Sequence, residues 1–146
     1  MKAEATVRVR LLRPGARLPV RATEHATGFD LHACLADGPV EVGQHPVLVA
    51  TGIAIEVPAG FDAQVRPRSG LAKRGVLVTF GTIDADYRGE LMVTLYTMAP
   101  DIRHLIEDGD RIAQLVVSQQ AEVRFDEAEE LTATARGDGG LGSTGR

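Results

Sequence analysis

The stretch that decides the fold is VLVATGIAIEV, residues 47–57. It is rich in β-branched residues, and its single glycine divides it into two pieces of strand length. We therefore predict two β-strands joined near Gly52.

Outward from this stretch, apolar and polar residues alternate with the period of half-buried strands. Five further strands are predicted on these grounds, over Thr6–Leu11, Phe61–Arg66, Val76–Phe80, Glu90–Tyr96 and Arg111–Val117. Turn-forming residues separate them, at Pro14-Gly15, Asp37-Gly38-Pro39, Pro58-Ala59-Gly60, Arg88-Gly89 and Asp108-Gly109. Many short strands with regular turns predict an all-β, antiparallel sandwich or barrel.

One short helix is expected over Ser69–Arg74, with Ser69 placed to cap it. Glu127–Ala135 is open to two interpretations, a modest helix or an irregular arm. The sequence contains no internal repeat and no linker.

Length and composition indicate one globular domain, with 146 residues of which 44% are hydrophobic. The net charge of −4 argues against a broad nucleic-acid surface, but not against a local site for a small anion. Cys34 is the only cysteine, so no internal disulfide can form and we expect it to pack as a small apolar residue. No apolar run suits a signal peptide or a membrane span, so we expect a cytoplasmic protein without membrane partners.

Four stretches carry candidate chemistry. Thr27–Ala33 places one acid between apolar neighbours, which alone indicates only a strand with an outward polar residue. Pro67–Ala72 combines a guanidinium, a hydroxyl and a glycine at a helix start, which suits either an anion site or an ordinary turn. Gly81–Glu90 resembles a hairpin whose acidic turn could present a general base or simply be solvated. Gly109–Val116 indicates a turn leading into an alternating strand.

The last eleven residues, RGDGGLGSTGR, contain five glycines and cannot bury enough surface to order themselves. A frayed terminus is one interpretation of this tail. A phosphate clamp that closes on a ligand is the other, since arginines, hydroxyls and permissive backbone suit it. The spacing G-x-G-x-x-G within the tail is no dinucleotide fingerprint, because no helix can follow it.

Together and in order, these stretches resemble the five motifs of the trimeric dUTPase family. The family's G-[YF]-D-L-x-A is similar to residues 28–33, and P-R-S-G-L-A matches residues 67–72 letter for letter. G-x-I-D-x-D-Y-R-G matches residues 81–89, G-D-R-I-A-Q-L matches residues 109–115, and R-G-x-G-G-[FL]-G-S-T-G fits residues 136–145.

The resemblance implies a jelly-roll-like subunit, residues 1–135, with a flexible arm, residues 136–146, that closes over an active site. It implies a homotrimer with sites between subunits, and the magnesium-dependent hydrolysis of dUTP to dUMP and pyrophosphate. The four histidines show no metal-ligand spacing, so magnesium and not zinc is expected.

Site residues are implied by position in the motifs. Asp84 would be the general base for the attacking water, and Tyr87 would lie against the sugar C2′ and exclude a 2′-hydroxyl. Asp30 would reach magnesium through water. The backbone around Val78–Ile83 would read the uracil edge. Phosphate or base contacts are implied for Arg68, Ser69, Gly70, Gly81, Thr82, Ile83, Gln114, Arg136, Leu141, Gly142, Ser143 and Thr144.

The sequence departs from the family pattern at Leu141, where the family usually has a phenylalanine that stacks on uracil. Leucine offers no π-face, so base affinity is expected to fall by roughly 0.5–1.5 kcal/mol.

Two other functions remain open. A dCTP deaminase of related fold would need a glutamate acting on cytosine, and a dUTP-sensing protein would bind without turnover. The run Asp84–Gly89 favours the hydrolase over the deaminase.

Overall fold

The computed structural model describes residues 4–142, 144 and 145. Within them the chain forms eleven β-strands and one short helix. The strands and helix are β1 (Arg8–Leu11), β2 (Phe29–His32), β3 (Val40–Val42), β4 (Val47–Ala50), β5 (Ile53–Glu56), β6 (Phe61–Arg66), α1 (Ser69–Ala72), β7 (Val76–Val78), β8 (Gly81–Ile83), β9 (Met92–Thr97), β10 (His104–Ile106) and β11 (Arg111–Gln119). Within this described part, no helix has the length and apolar character needed to cross a membrane.

All strand pairs are antiparallel and form four small sheets around one apolar core. The strand orders are β1-β5, β10-β3, β2-β11-β6-β8 and β4-β9-β7. The inward side chains are mostly Val, Leu and Ile, and Leu95, Val93 and Ile112 have no exposed surface. The predicted all-β, jelly-roll-like architecture with one short helix is confirmed, and packing of these aliphatic faces accounts for its stability.

The central prediction from residues 47–57 is also confirmed. β4 and β5 are separated by Thr51 and Gly52, and Gly52 has a φ of +72° that L side chains rarely adopt. β6 has the predicted bounds, and Cys34 is buried as expected.

The predicted hairpin over residues 76–96 is wrong in detail. β7 ends at Val78 rather than Phe80, and pairs with β9. The chain then leaves this sheet at Thr79 and Phe80, and β8 pairs with β6 in the four-stranded sheet. The next strand begins at Met92 and not at Glu90, because Glu90 uses its side chain to anchor the loop.

The helix prediction over Ser69–Arg74 needs correction, whereas of the two interpretations of residues 127–135 the structure shows the irregular arm. α1 ends at Ala72, and Ser69 is its first helical residue rather than its cap. Arg68 occupies the cap position in an extended conformation, with no side-chain capping bond. Residues 127–135 form no helix: the segment is exposed along its length, and a short helix without packing partners is not stable in water.

Substitution at Gly52 tests the packing of the turn between β4 and β5. A Cβ there would lie 2.9 Å from both Cys34 Sγ and Ala16 Cβ, whereas Gly60, at φ +81°, has open space. We expect Gly60→Ala to lower the free energy of unfolding by about 1–2 kcal/mol through backbone strain alone. Gly52→Ala should lose about 1–3 kcal/mol more through overpacking. Urea denaturation of both variants measures the difference, and equal losses would show that the packing relaxes freely.

Candidate active site

The four-stranded sheet positions the first group of predicted site residues. Asp30 on β2 lies opposite Gln114 on β11, which lies opposite Arg66 on β6. The chain continues from Arg66 through Pro67 to Arg68 and α1. The motif residues around 30, 68 and 114 are therefore brought to one end of this sheet.

The carboxylate of Asp30 is held by two arginines and is not an outward strand residue. Its Oδ1 lies 3.2 Å from Arg68 Nε, and its Oδ2 lies 3.7 Å from Arg111 NH1. Only 8% of Asp30 is exposed. We call Asp30, Arg68 and Arg111 the arginine–aspartate cluster; its formal charge is positive, which suits a ligand of high negative charge.

A β-bulge places Arg111 in this cluster. The pairing of β11 with β2 shifts between Arg111 and Ala113, so that Arg111 lies opposite His32 while Gln114 lies opposite Asp30. In a regular antiparallel pair, Ile112 would take the position opposite His32 and its side chain would share the face of Asp30. With the bulge, Arg111 faces Asp30 and Ile112 is completely buried in the core. The predicted regular alternation of this strand is thus wrong at its start.

Gln114 supports the turn before α1. Its Nε2 donates to Pro67 O at 2.8 Å, and its side chain packs against Gly28, where a Cβ would lie 2.8 Å from Gln114 Cδ. Ser69 and Gly70 are exposed at the start of α1, while Leu71 fixes the helix in the core. The hydroxyl of Ser69 and the backbone at Gly70 are therefore open to a ligand beside the cluster.

The second group lies at the edge of the same sheet. Among the described residues, β8, which consists of Gly81, Thr82 and Ile83, pairs with β6 on one side only. All three residues of β8 border a pocket of about 240 Å³. The pocket is lined by Val65, Gly81, Thr82, Ile83, Asp84, Tyr87, Glu90, Leu91 and Met92. This volume lies below the roughly 300–1,000 Å³ of pockets for whole drug-sized ligands, so it suits one part of a larger molecule.

Asp84 and Tyr87 stand on the turn that follows β8. The turn is closed by Tyr87 N, which donates to Asp84 O at 3.0 Å. The side chain of Asp84 is exposed at the pocket, and Tyr87 is 46% exposed. An exposed carboxylate beside a pocket can accept a proton from a bound water.

Glu90 anchors this turn to the body of the protein. Its Oε1 accepts from Gly52 N at 2.8 Å and from Arg13 NH2 at 2.5 Å. The hydrogen bond from Arg13 is the main reason that the pKa of the Glu90 carboxyl lies below its usual value. Sequence reasoning missed Arg13, Glu90 and Arg111 as site residues, and the 77 positions between Arg13 and Glu90 leave no local signal.

The two groups do not meet within one chain. Ile83 lies opposite Ala63 on β6, and Arg68 follows Ala63 by five residues, of which Gln64–Arg66 lie in β6 and Arg68 is itself extended. At about 3.3 Å per residue, the end of β8 and Arg68 are about 16 Å apart. From Ile83 the chain continues to Asp84 in the direction away from Arg68.

No hydrogen bond joins the described residues of the tail, 136–142, 144 and 145, to either group. Arg136 Nε donates to Gly139 O at 2.8 Å, which is a contact within the tail itself. Leu141, Gly142 and Thr144 are exposed. Ser143, the remaining predicted tail residue, lies outside the described residues.

Comparisons with known proteins agree with the fold. The dUTPase family model matches residues 15–145. The deoxyuridine 5'-triphosphate nucleotidohydrolase of Hydrogenobaculum sp. (strain Y04AAS1) is 52% identical over 140 residues, which cover 94% of this chain and 96% of that protein.

Two solved structures have the same fold. A mutant of the Staphylococcus bacteriophage 80alpha dUTPase with dUpNHpp has a TM-score of 0.80 at 25% identity, covering 97% of this chain and 99% of that one. A mutant dUTPase from phage phi11 of S. aureus, which coordinates a structural Mg(II) ion, has a TM-score of 0.77 at 24% identity, covering 88% and 99%.

The pKa of Glu90 gives the anchor a pH dependence. A carboxyl whose pKa is lowered on folding stabilises the protein above its unfolded pKa, and this stabilisation is lost as pH falls through the folded pKa. We expect Glu90→Gln to lower the free energy of unfolding by about 1–2 kcal/mol at neutral pH, at the low end for charged hydrogen bonds because the pair is partly exposed. The difference from the parent should shrink in acid, since both side chains are then neutral.

Urea denaturation over a series of pH values measures this effect. Glu41→Gln is the matched control, because the side chain of Glu41 is 67% exposed and its Oε1 lies 4.0 Å from Arg103 NH1 in a surface ion pair. Its effect should stay small throughout. A Glu90→Gln difference that is constant down to the lowest pH would contradict the assigned role of the carboxylate.

Proposed function

Because this chain belongs to the dUTPase family and hydrolyses dUTP to dUMP and pyrophosphate, we propose that Asp84 is its general base and that its active sites lie between subunits of a homotrimer. The observation that carries the first part is the exposed carboxylate of Asp84 at a pocket shared with Tyr87 and the free edge of β8. A cytoplasmic location stays a prediction from the sequence.

In the proposed reaction, a water molecule attacks the α-phosphorus of dUTP. The new bond joins the water oxygen to this phosphorus, and the bond to the oxygen that bridges the α- and β-phosphorus breaks. Pyrophosphate leaves, and Asp84 accepts the proton of the water. The chain has little covalent chemistry to supply, because an anhydride needs mainly an aligned nucleophile and neutralised charge.

The pocket beside β8 would hold the nucleoside. The unpaired backbone edge of Gly81, Thr82 and Ile83 offers donors and acceptors to the edge of the uracil ring. Tyr87 would lie against the sugar C2′ and leave no room for a 2′-hydroxyl. Binding by backbone groups in a small pocket also leaves little room for a methyl group on the base.

The arginine–aspartate cluster would hold the phosphates. Arg68 contributes a guanidinium, and Ser69 and Gly70 contribute a hydroxyl and backbone at an exposed surface. Arg111 adds a second guanidinium next to Asp30. Gln114 would assist, both by contact and by fixing the carbonyl of Pro67.

Magnesium fits this site only as an ion that binds together with the substrate. Among the described residues, no three His, Cys, Asp or Glu side chains are grouped to hold a metal. Asp30 is a single carboxylate with arginines beside both oxygens, which suits contact through metal-bound water rather than direct coordination. When bound, magnesium would neutralise charge on the triphosphate oxygens.

The separation of the two groups supports a site between subunits. One α-phosphate cannot lie beside both Asp84 and Arg68 of a single chain if they are about 16 Å apart or more. A second copy that supplies the other group resolves this.

Exposed apolar side chains support the assembly itself. Leu48, Met92, Phe80 and Met98, on and near the β4-β9-β7 sheet, are 40–68% exposed. Phe125, in the segment that leads to the tail, is 95% exposed. Leu48 and Met92 share one face of the paired strands β4 and β9, and exposed apolar groups that adjoin in this way are typical of association surfaces.

The tail would complete the site from a neighbouring subunit. Arg136, Ser143 and Thr144 would clamp the β- and γ-phosphates, and Leu141 and Gly142 would cover the base. Such closure excludes water and strengthens the electrostatic interactions inside.

Activity measurements test the base and the substrate together. With magnesium, we expect pyrophosphate release from dUTP but little from UTP, dTTP or dCTP. Asp84→Asn should lower kcat by about 10²–10⁴-fold, as expected for loss of a general base. Asp101→Asn, the same change in an exposed turn, is the control. Ammonia release from dCTP, or dUTP binding without turnover, would refute the proposed function.

Mixing two inactive variants tests whether the sites are shared. Asp84→Asn removes the proposed general base beside β8, and Arg68→Ala removes a guanidinium from the arginine–aspartate cluster. If each site takes these groups from two subunits of a symmetric assembly, random mixing leaves about a quarter of the sites intact. Unfolding and refolding the two variants together should therefore restore about a quarter of parental activity. Sites contained in one chain would recover none, and each variant refolded alone is the control.

A further inference from the structure

The ring of Tyr87 is held in place by few contacts. Its hydroxyl donates to Glu90 O at 3.0 Å. The ring lies against Gly89, where a Cβ would be 2.6 Å from Tyr87 Cζ. Because nearly half of the side chain is exposed, packing alone does not fix it.

The carbonyl that accepts this hydrogen bond belongs to a firmly anchored segment. Leu91 N donates to Ile53 O at 2.8 Å, and Thr51 Oγ1 donates to Leu91 O at 2.6 Å. The side chain of Glu90 adds its bonds to Gly52 N and Arg13. Arg13 in turn reaches Cys34 O at 3.4 Å, so the segment is tied to two other parts of the fold.

We propose that Arg13 and Glu90 are positioning residues that fix Tyr87 and thereby set the discrimination between deoxyribose and ribose nucleotides. This inference rests on the proposed role of Tyr87 against the sugar. Neither Arg13 nor Glu90 needs to touch the 2′ position. They act through the carbonyl of residue 90 and the hydroxyl of Tyr87.

The physical reason is that exclusion by contact depends on a barrier that does not move. Functional groups must be held within about 0.5 Å of their working position. If the segment around Glu90 loosens, the ring of Tyr87 can retreat and leave space for a 2′-hydroxyl. Hydrolysis of UTP then rises relative to that of dUTP, because a shift of Asp84 on the same turn would affect both substrates alike.

The experiment compares kcat/KM for dUTP and UTP in the full-length protein. Glu90→Ala removes both side-chain bonds, and we expect it to raise the UTP-to-dUTP ratio by about 10-fold or more. Tyr87→Phe, which removes the hydroxyl, should change the ratio in the same direction. Glu90→Gln should restore most of the discrimination, because its amide oxygen can accept from both Gly52 and Arg13.

Two further variants complete the design. Arg13→Gln weakens the same anchor from its other side and provides a second test if Glu90→Ala folds poorly. It should raise the ratio by a smaller factor. Glu41→Ala removes a carboxylate from an ion pair elsewhere on the surface, and should leave the ratio unchanged.

A general structural role gives a different result. If Glu90→Ala and Arg13→Gln lower both rates in proportion or only reduce the Tm, the ratio stays constant and the inference is overturned. If Tyr87→Phe and Tyr87→Ala also leave the UTP-to-dUTP ratio constant, the proposed role of Tyr87 is wrong, and the inference that rests on it is wrong as well. Failure of the parent protein to hydrolyse dUTP would instead overturn the proposed function.

Discussion

The length of β6 is the constraint on which the arrangement of the site depends. This six-residue strand pairs with β11 on one side and with β8 on the other. The pairing with β11 leads to Asp30 and Gln114, and the pairing with β8 leads to Asp84 and Tyr87. Because an extended strand cannot shorten, the two groups are held apart by a fixed distance. This separation is what supports the proposal that a nucleotide contacts the second group on another subunit.

The same sheet shows how a chain with net charge −4 builds a local region of positive charge. The positive charge is local: Arg68 and Arg111 converge on Asp30, which orients them and compensates part of their charge. A buried carboxylate without such partners would be costly, so the arginines also make the burial of Asp30 tolerable. A bound polyphosphate would meet guanidinium groups that are already held in position.

Much of this could be predicted from the sequence, for reasons that differ between fold and site. The strands over residues 47–57 and 61–66 follow from local alternation and one glycine, which are properties of neighbouring residues. β3 and β10, of three residues each, are too short to show a period. The change of sheet at Thr79 and Phe80 is a matter of long-range pairing, which no local pattern encodes. The site residues could be predicted only from the resemblance of the motifs and their order to a known family, because each stretch alone also suited an ordinary turn or strand.

The sequence could not indicate the supports of the motif residues, that is, the residues that hold them in position. The β-bulge that turns Arg111 toward Asp30 depends on the partner strand, and the bond between Arg13 and Glu90 joins residues far apart in the chain. Motif residues touch the ligand and are confined to a few residue types, whereas their supports can be built by many pairs of side chains. The supports still decide how rigidly the motif residues are held. Selectivity that works by steric exclusion therefore depends also on residues that hold the excluding side chain in place, and this is the role that we propose for Arg13 and Glu90 behind Tyr87.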